Sequence, residues 1–294
     1  MTGKERGFLL LTSHLGDPNR HPLTQAQLKT LAHRVSGLER PADDRELELR
    51  DLRSLGYGNE MAERILRLLS QEAELEHYLS RSQGCIPVTC RSEIYPVLLR
   101  QRLGAYAPGC LWARGDVALL RKPAIALVGS RELGAENRAF AAAAGELAAK
   151  NGMVLVSGNA RGADRTAQEA CLAAGGQVIS IVADSLDSHP EKSGMLYLSE
   201  DGYAEAFTSQ RALSRNRYIH ALGQITFVAQ ASLGKGGTWD GTVKNLRHGW
   251  STVVCFRDGS ESSRELEKMG AYLIGMEELR DFSWTGQQEF TFFE

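Results

Sequence analysis

From Pro123 onward, blocks of apolar and polar positions follow one another in a regular order. Ala124-Ile125-Ala126-Leu127-Val128 is an unbroken apolar run closed by Gly129, the pattern of a parallel strand covered on both faces. A helix is predicted over 137–150, where Phe140, Ala144, Leu147 and Ala148 recur at helical spacing and Asn151-Gly152 supplies the stop. The alternation continues with a strand at 153–156, a helix at 166–174 stopped by Gly175-Gly176, and a strand at 178–182. A loop around 184–193 and a helix near 214–221 come next. A strand at 225–229, a helix at 239–248, a strand at 252–256, a helix at 262–269 and a short strand at 271–274 complete the series before a closing turn at 277–279. Such a succession predicts an α/β fold: an open, mostly parallel sheet with helices on both faces and right-handed crossovers.

The first part of the chain has a different period. Leu28, Leu31, Ala32 and Val35 share a helical face, with Thr24 as a cap, and Ala62, Ile65, Leu66 and Leu69 mark another helix. Between them lie the charged stretch Pro41–Arg53 and the turn Leu55-Gly56-Tyr57-Gly58. A Gly-x-Gly turn between two helices resembles a helix-hairpin-helix element, whose backbone N–H groups can meet a DNA phosphate. A tight helical turn that needs glycine for its backbone angles fits the same residues. The helical pattern stops near residue 84, which divides the chain into a helical domain, 1–83, and an α/β domain, 84–294. Cys85–Thr89 reads as a strand, Tyr95–Leu99 as the start of a helix and Leu111–Asp116 as a strand ending in a turn.

Composition narrows the function classes. With 43% hydrophobic residues the 294-residue chain can bury a real core, and its net charge of −2 gives no whole-protein field for nucleic acid, so any such site is a local patch. The five cysteines, at 85, 90, 110, 171 and 255, form no CxxC pair and read as reduced thiols. No apolar run reaches a membrane span, and Phe8–Thr12 is too short for the core of a signal peptide; the expected location is cytoplasmic.

Ligands of open α/β sheets bind beyond the carboxyl ends of the strands. Here three of those ends are rich in glycine. Gly129-Ser130-Arg131 offers close backbone approach, a hydroxyl and a guanidinium fork. Ser157-Gly158-Asn159-Ala160-Arg161-Gly162-Ala163-Asp164 leads straight into a helix N-terminus, where free N–H groups favour an anion. Ser232-Leu233-Gly234-Lys235-Gly236-Gly237-Thr238 is the third. Between residues 205 and 250 stand six basic side chains (211, 215, 217, 235, 244, 247) against two acids (205, 240), including the run Arg215-Asn216-Arg217. Together these predict a phosphate-binding pocket, although the phosphate-loop and dinucleotide fingerprints are both absent. The seven histidines show no metal spacing, no catalytic set stands out, and no cofactor or metal is implied.

In combination, Trp112–Asp116, Ala124–Arg131, Val156–Asp164, Ala173–Gly176 and Arg215-Asn216-Arg217-Tyr218-Ile219 resemble the DNA-processing protein A (DprA/Smf) family, in the family's order and over roughly residues 95 to 280. The resemblance implies a Rossmann-like, non-enzymatic single-stranded-DNA-binding protein. Members form homodimers and help load a RecA-type recombinase in DNA uptake and recombination. It also implies that Gly129, Ser130, Arg131, Arg215, Asn216 and Arg217 hold backbone phosphates. The residues themselves add Ser157, Gly158, Arg161, Gly162, Lys235, Gly236, Gly237 and Thr238 to the expected site. Ala212-Leu213 stands where the family has Phe-Pro, and the family's C-terminal winged-helix domain has no counterpart in the short tail from Asp281. Gly236-Gly237-Thr238 followed by Asp240 also resembles the LOG-type nucleotide phosphoribohydrolases, which makes a small-nucleotide enzyme or sensor the alternative.

Overall fold

The computed structural model describes residues 1–36 and 47–282. Most of the charged stretch before Leu47 and the tail after Phe282 therefore lie outside the described residues. The chain divides into two compact units, Met1–Glu93 and the remainder from Ile94.

The first unit is helical: α1 (Gly3–Thr12), α2 (Gln25–Ser36), α3 (Leu49–Ser54), α4 (Asn59–Leu69) and α5 (Glu72–Ser80), followed by the short strand β1 (Ile86–Thr89). The Thr2 hydroxyl caps α1 and Glu5 reaches back to the Thr2 N–H, a capping box. Thr24 caps α2 in the same reciprocal way with Gln27. Leu31, Leu52, Ala62, Ile65 and Leu68 close a small core, as the helical spacing of the sequence requires. Gly56 turns the chain at φ +81°, a conformation that favours glycine. Arg34 lies against this turn, bonding the Leu55 carbonyl at 3.0 Å and covering the Tyr57 ring at 4.5 Å.

The second unit opens with α6 (Val97–Leu103) and β2 (Cys110–Gly115). It then alternates: β3 (Ala124–Val128), α7 (Ala135–Lys150), β4 (Val154–Ser157), α8 (Ala163–Ala173), β5 (Gln177–Ile181) and β6 (Met195–Glu200). The second half runs α9 (Ser209–Leu222), β7 (Ile225–Val228), α10 (Gly236–His248), β8 (Thr252–Phe256), α11 (Glu261–Lys268), β9 (Tyr272–Ile274) and α12 (Met276–Asp281). Within this unit the strand order is β2-β6-β5-β4-β3-β7-β8-β9. Only the β2–β6 pair is antiparallel among its described pairs. This is the open, mostly parallel α/β sheet the sequence predicts.

Strands β3 and β4 are buried along their whole length, which is why their sequences are continuous rather than alternating. Helices α7 and α8 pack on each other and on β3 to β5, while α9 packs on α10 and also meets β3 to β5. Right-handed crossovers place these two pairs on opposite faces. From β3 the chain builds leftward through β4, β5 and β6, then returns to lay β7, β8 and β9 on the other side. The order thus reverses between β3 and β7, whose carboxyl ends are Gly129 and Ala229. That gap is the place where such sheets open a crevice.

Among the departures from the sequence expectation, three bear on the sheet and its strand ends. Strand β6 was absent from that expectation, since Met195–Glu200 finds its antiparallel partner in β2, eighty-odd residues earlier. Helix α9 begins at Ser209, because the Thr208 hydroxyl accepts the Arg211 N–H at 3.0 Å and starts the helix a turn sooner. Helix α10 begins at Gly236, so Gly236-Gly237-Thr238 is its first turn rather than a preceding loop. Cys85, Cys171 and Cys255 are buried, and Cys90 and Cys110 are partly buried.

Candidate nucleic-acid interface

A cleft of about 450 Å³ opens at the switch point. Its walls come from the end of β3 (Gly129, Ser130, Arg131), from the α9 face carrying Ala212, Arg215 and Asn216, and from the start of α10 (Lys235–Thr238). The walls are tied together by side chains and backbone. The Ser130 N–H donates to the Gln230 carbonyl at 3.0 Å, and the Gln230 side chain accepts the Gly134 N–H at 3.1 Å. The Thr238 hydroxyl donates to the Gly129 carbonyl at 2.9 Å, and the Asn216 amide to the Gly237 carbonyl at 3.0 Å. Consequently three separate elements present one pre-set surface.

The floor is a buried ion pair. Asp164, in the first turn of α8, accepts the Ala160 N–H at 3.2 Å and lies 4.0 Å from Arg215. Burial raises the Asp164 pKa, an effect that the Arg215 charge opposes. Arg215 donates to the Ile181 carbonyl, and burial lowers its pKa against the pull of Asp164. A Cβ on Gly158 would collide with both partners, so glycine there makes room for the pair. Gly162, at φ +86°, lets the α8 entrance pass beneath the Ser130 and Arg131 carbonyls.

Arg131 and Lys235 are exposed at the cleft and have no ion-pair partner among the described residues. Lys235 precedes α10, whose first turn has no side-chain cap and no acid, so its leading N–H groups face the cleft unneutralised.

The structure brings nine of the expected residues together in the cleft wall: Gly129, Ser130, Arg131, Arg215, Asn216 and the run Lys235–Thr238. The other five sit elsewhere. Ser157 is buried beneath the sheet end, where Gln168 donates to its hydroxyl at 2.7 Å, and Gly158 packs as described. Arg161 is exposed and pairs with Glu132 at 3.5 Å. Gly162 supports the Ser130 loop from behind. Arg217, two residues along α9 from Arg215, points to the other side: it pairs with Glu200 at 3.4 Å, bonds the Tyr218 hydroxyl at 2.6 Å and covers that ring. Asp240 is exposed, pairs with Lys244 at 2.7 Å and does not line the cleft.

Two residues at the cleft edge escaped the sequence reading. Phe207 and Leu213 line it with 54% and 46% of their surface exposed. The available signal was an aromatic, Phe207, five residues before Ala212 and directly ahead of the polar run Thr208–Arg211. Among the described residues no helix is long and apolar enough to cross a membrane, and no cluster of metal-ligating side chains occurs.

The family model for DNA recombination-mediator protein A matches residues 87–275. The chain belongs to the DNA recombination-mediator protein A family. It is 29% identical over 193 residues to the DNA processing protein DprA of Streptococcus pneumoniae, a match covering 60% of this chain and 68% of that protein. Protein Smf of Escherichia coli is 30% identical over 198 residues, covering 62% of this chain and 52% of Smf, so the match spans about half of Smf. The S. pneumoniae DprA crystal structure superposes with a TM-score of 0.68 at 26% identity, over 93% of this chain and 95% of that one. DNA processing protein A from Helicobacter pylori, whose structure concerns a single-stranded DNA binding mode, shares the fold with a TM-score of 0.55 at 24% identity, over 67% and 93%.

Proposed function

We propose that the cleft binds single-stranded DNA, holding backbone phosphates on Arg131, Lys235, the Ser130 and Asn216 side chains and the first turn of α10. One observation carries this reading: two unpaired cations and an uncapped helix N-terminus converge at the switch point of a family whose relatives process DNA. Gly129, Gly236 and Gly237 allow the strand's phosphates to approach the backbone. Phe207 and Leu213 offer an apolar surface on which a base can rest, in place of the aromatic that Ala212 lacks. Arg215 serves as the fixed floor. By family relation, the chain acts without catalysis, as a homodimer that hands its strand to a RecA-type recombinase.

Binding of this kind is salt-dependent and indifferent to sequence. Fluorescence anisotropy of an oligo-dT should give a log–log salt slope that becomes shallower by about 0.7 for each phosphate contact removed. Arg131→Ala and Lys235→Ala should each weaken binding by roughly ten- to a hundredfold, in line with about 1.5–3 kcal/mol for a bond to a charged group. No detectable binding at low salt would sink the reading.

A further inference from the structure

The charge and size of the cleft ask for more than the middle of a strand. Its wall and floor hold three cations, Arg131, Arg215 and Lys235, and one carboxylate, Asp164, which leaves two positive charges. The first turn of α10 adds about half a charge more. A phosphodiester carries one negative charge and two unesterified oxygens; a terminal monoester carries about 1.5–2 charges near neutrality and has three.

Arg215 is the second observation. Its side chain is only 12% exposed, yet the guanidinium is incompletely satisfied. One nitrogen donates to the Ile181 carbonyl. Asp164 stands 4.0 Å from another, beyond hydrogen-bond reach, and Nε has no partner among the described residues. A buried cation with donors left unsatisfied favours an anion arriving from the cleft it lines. The volume of about 450 Å³ suits one nucleotide rather than a run of them.

We propose that this cleft recognises a terminal phosphomonoester, seated against Arg131, Lys235 and the first turn of α10 with Arg215 behind it. The proposal rests on the phosphate-binding reading above and specifies its ligand as an end. Two sources share that chemistry: the phosphorylated end of a strand and a free nucleoside monophosphate. The strand end is the source the family relation favours.

The test compares oligo-dT ligands with a 5′-phosphate, a 3′-phosphate or hydroxyls at both ends, with the full-length protein at pH 7.5 and 5.5. Thymidine 5′-monophosphate serves as competitor. One phosphorylated end should bind about tenfold tighter than the hydroxyl form at pH 7.5, the ratio expected for one added charged contact. That ratio should shrink at pH 5.5, because the second phosphate proton binds near pH 6.

The groups facing the phosphate are Arg131, Asp164, Arg215 and Lys235, with Asp184 acting on Arg215 from beyond β5. Among the described residues no histidine lines the cleft, and protonation of Asp164 would add positive charge and so widen the ratio, opposite to the expected shrinkage. Lys235→Gln, at an exposed position, should erase most of the ratio without unfolding the chain.

Equal binding of all three oligonucleotides at pH 7.5 overturns the proposal and leaves DNA binding standing. Binding of the monophosphate with no binding of any oligonucleotide keeps the terminal-phosphate chemistry and removes the DNA reading. Failure of every ligand removes both.

Discussion

His220 lies fully buried where α9 meets α10. Its Nδ1 sits 3.1 Å from the Asn245 amide nitrogen, which can only donate, so Nδ1 accepts and the proton belongs on Nε2. Burial pushes its pKa down from 6.5 to about 3. The unfolded chain takes up a proton near pH 6.5 while the folded chain stays neutral, so stability is complete above that value and falls as pH drops toward 3. Between pH 7.5 and 5.5 the loss should be about 1.4 kcal/mol. Urea midpoints between pH 7.5 and 5.5 should show it, and His220→Gln should flatten the slope; parallel slopes for both proteins would rule His220 out as the cause.

The two arginines of the Arg215-Asn216-Arg217 run teach a related lesson. They look equivalent in the sequence, but residues two apart on a helix face different ways. One faces the cleft floor and the other faces Glu200.

At the scale of elements, the α7–α8 contact depends on Gly145. A Cβ there would land on the Ala167 backbone carbonyl of the facing helix. In an isolated helix, Gly→Ala gains up to about 1 kcal/mol. Here the added methyl must push two helices apart, at about 1–3 kcal/mol for overpacking. Gly145→Ala should therefore lower the thermal midpoint; an unchanged or higher midpoint would mean that the helices part freely.

Much of this architecture was legible, because doubly covered strands must be continuously apolar and their helices must be amphipathic. β6 was not, since its four apolar residues, Met195–Leu198, follow a loop rather than a helix and run straight into Ser199-Glu200. The α10 entrance was misread for a different reason. Gly236 and Gly237 are poor helix formers, but first-turn residues need no intrahelical donor bonds, so glycine costs less there than in the interior. Of the site, the glycines and Arg131 could be read directly. Phe207 could not, because a single aromatic has no period.

On the scale of the whole molecule, every residue that lines the cleft falls between 128 and 238. We propose that the α/β part beginning near residue 84 is the functional domain. A chain starting there should unfold in one transition and bind oligo-dT within roughly threefold of the full-length affinity, as an autonomous domain would. A loss greater than tenfold would mean that the helical part contributes to binding. The overall charge of −2 stays compatible with a polyanionic ligand because the cations are concentrated at one crevice.

The floor of that crevice also constrains how the sequence can change. Asp164 and Arg215 come from α8 and α9, fifty-one positions apart, yet each leaves the other as a lone buried charge if it is replaced alone. Single replacements should therefore be short-lived. Among related proteins, positions 164 and 215 should be retained or lost as a pair, and Gly158, which gives the pair its room, should be free to acquire a side chain only where both have gone.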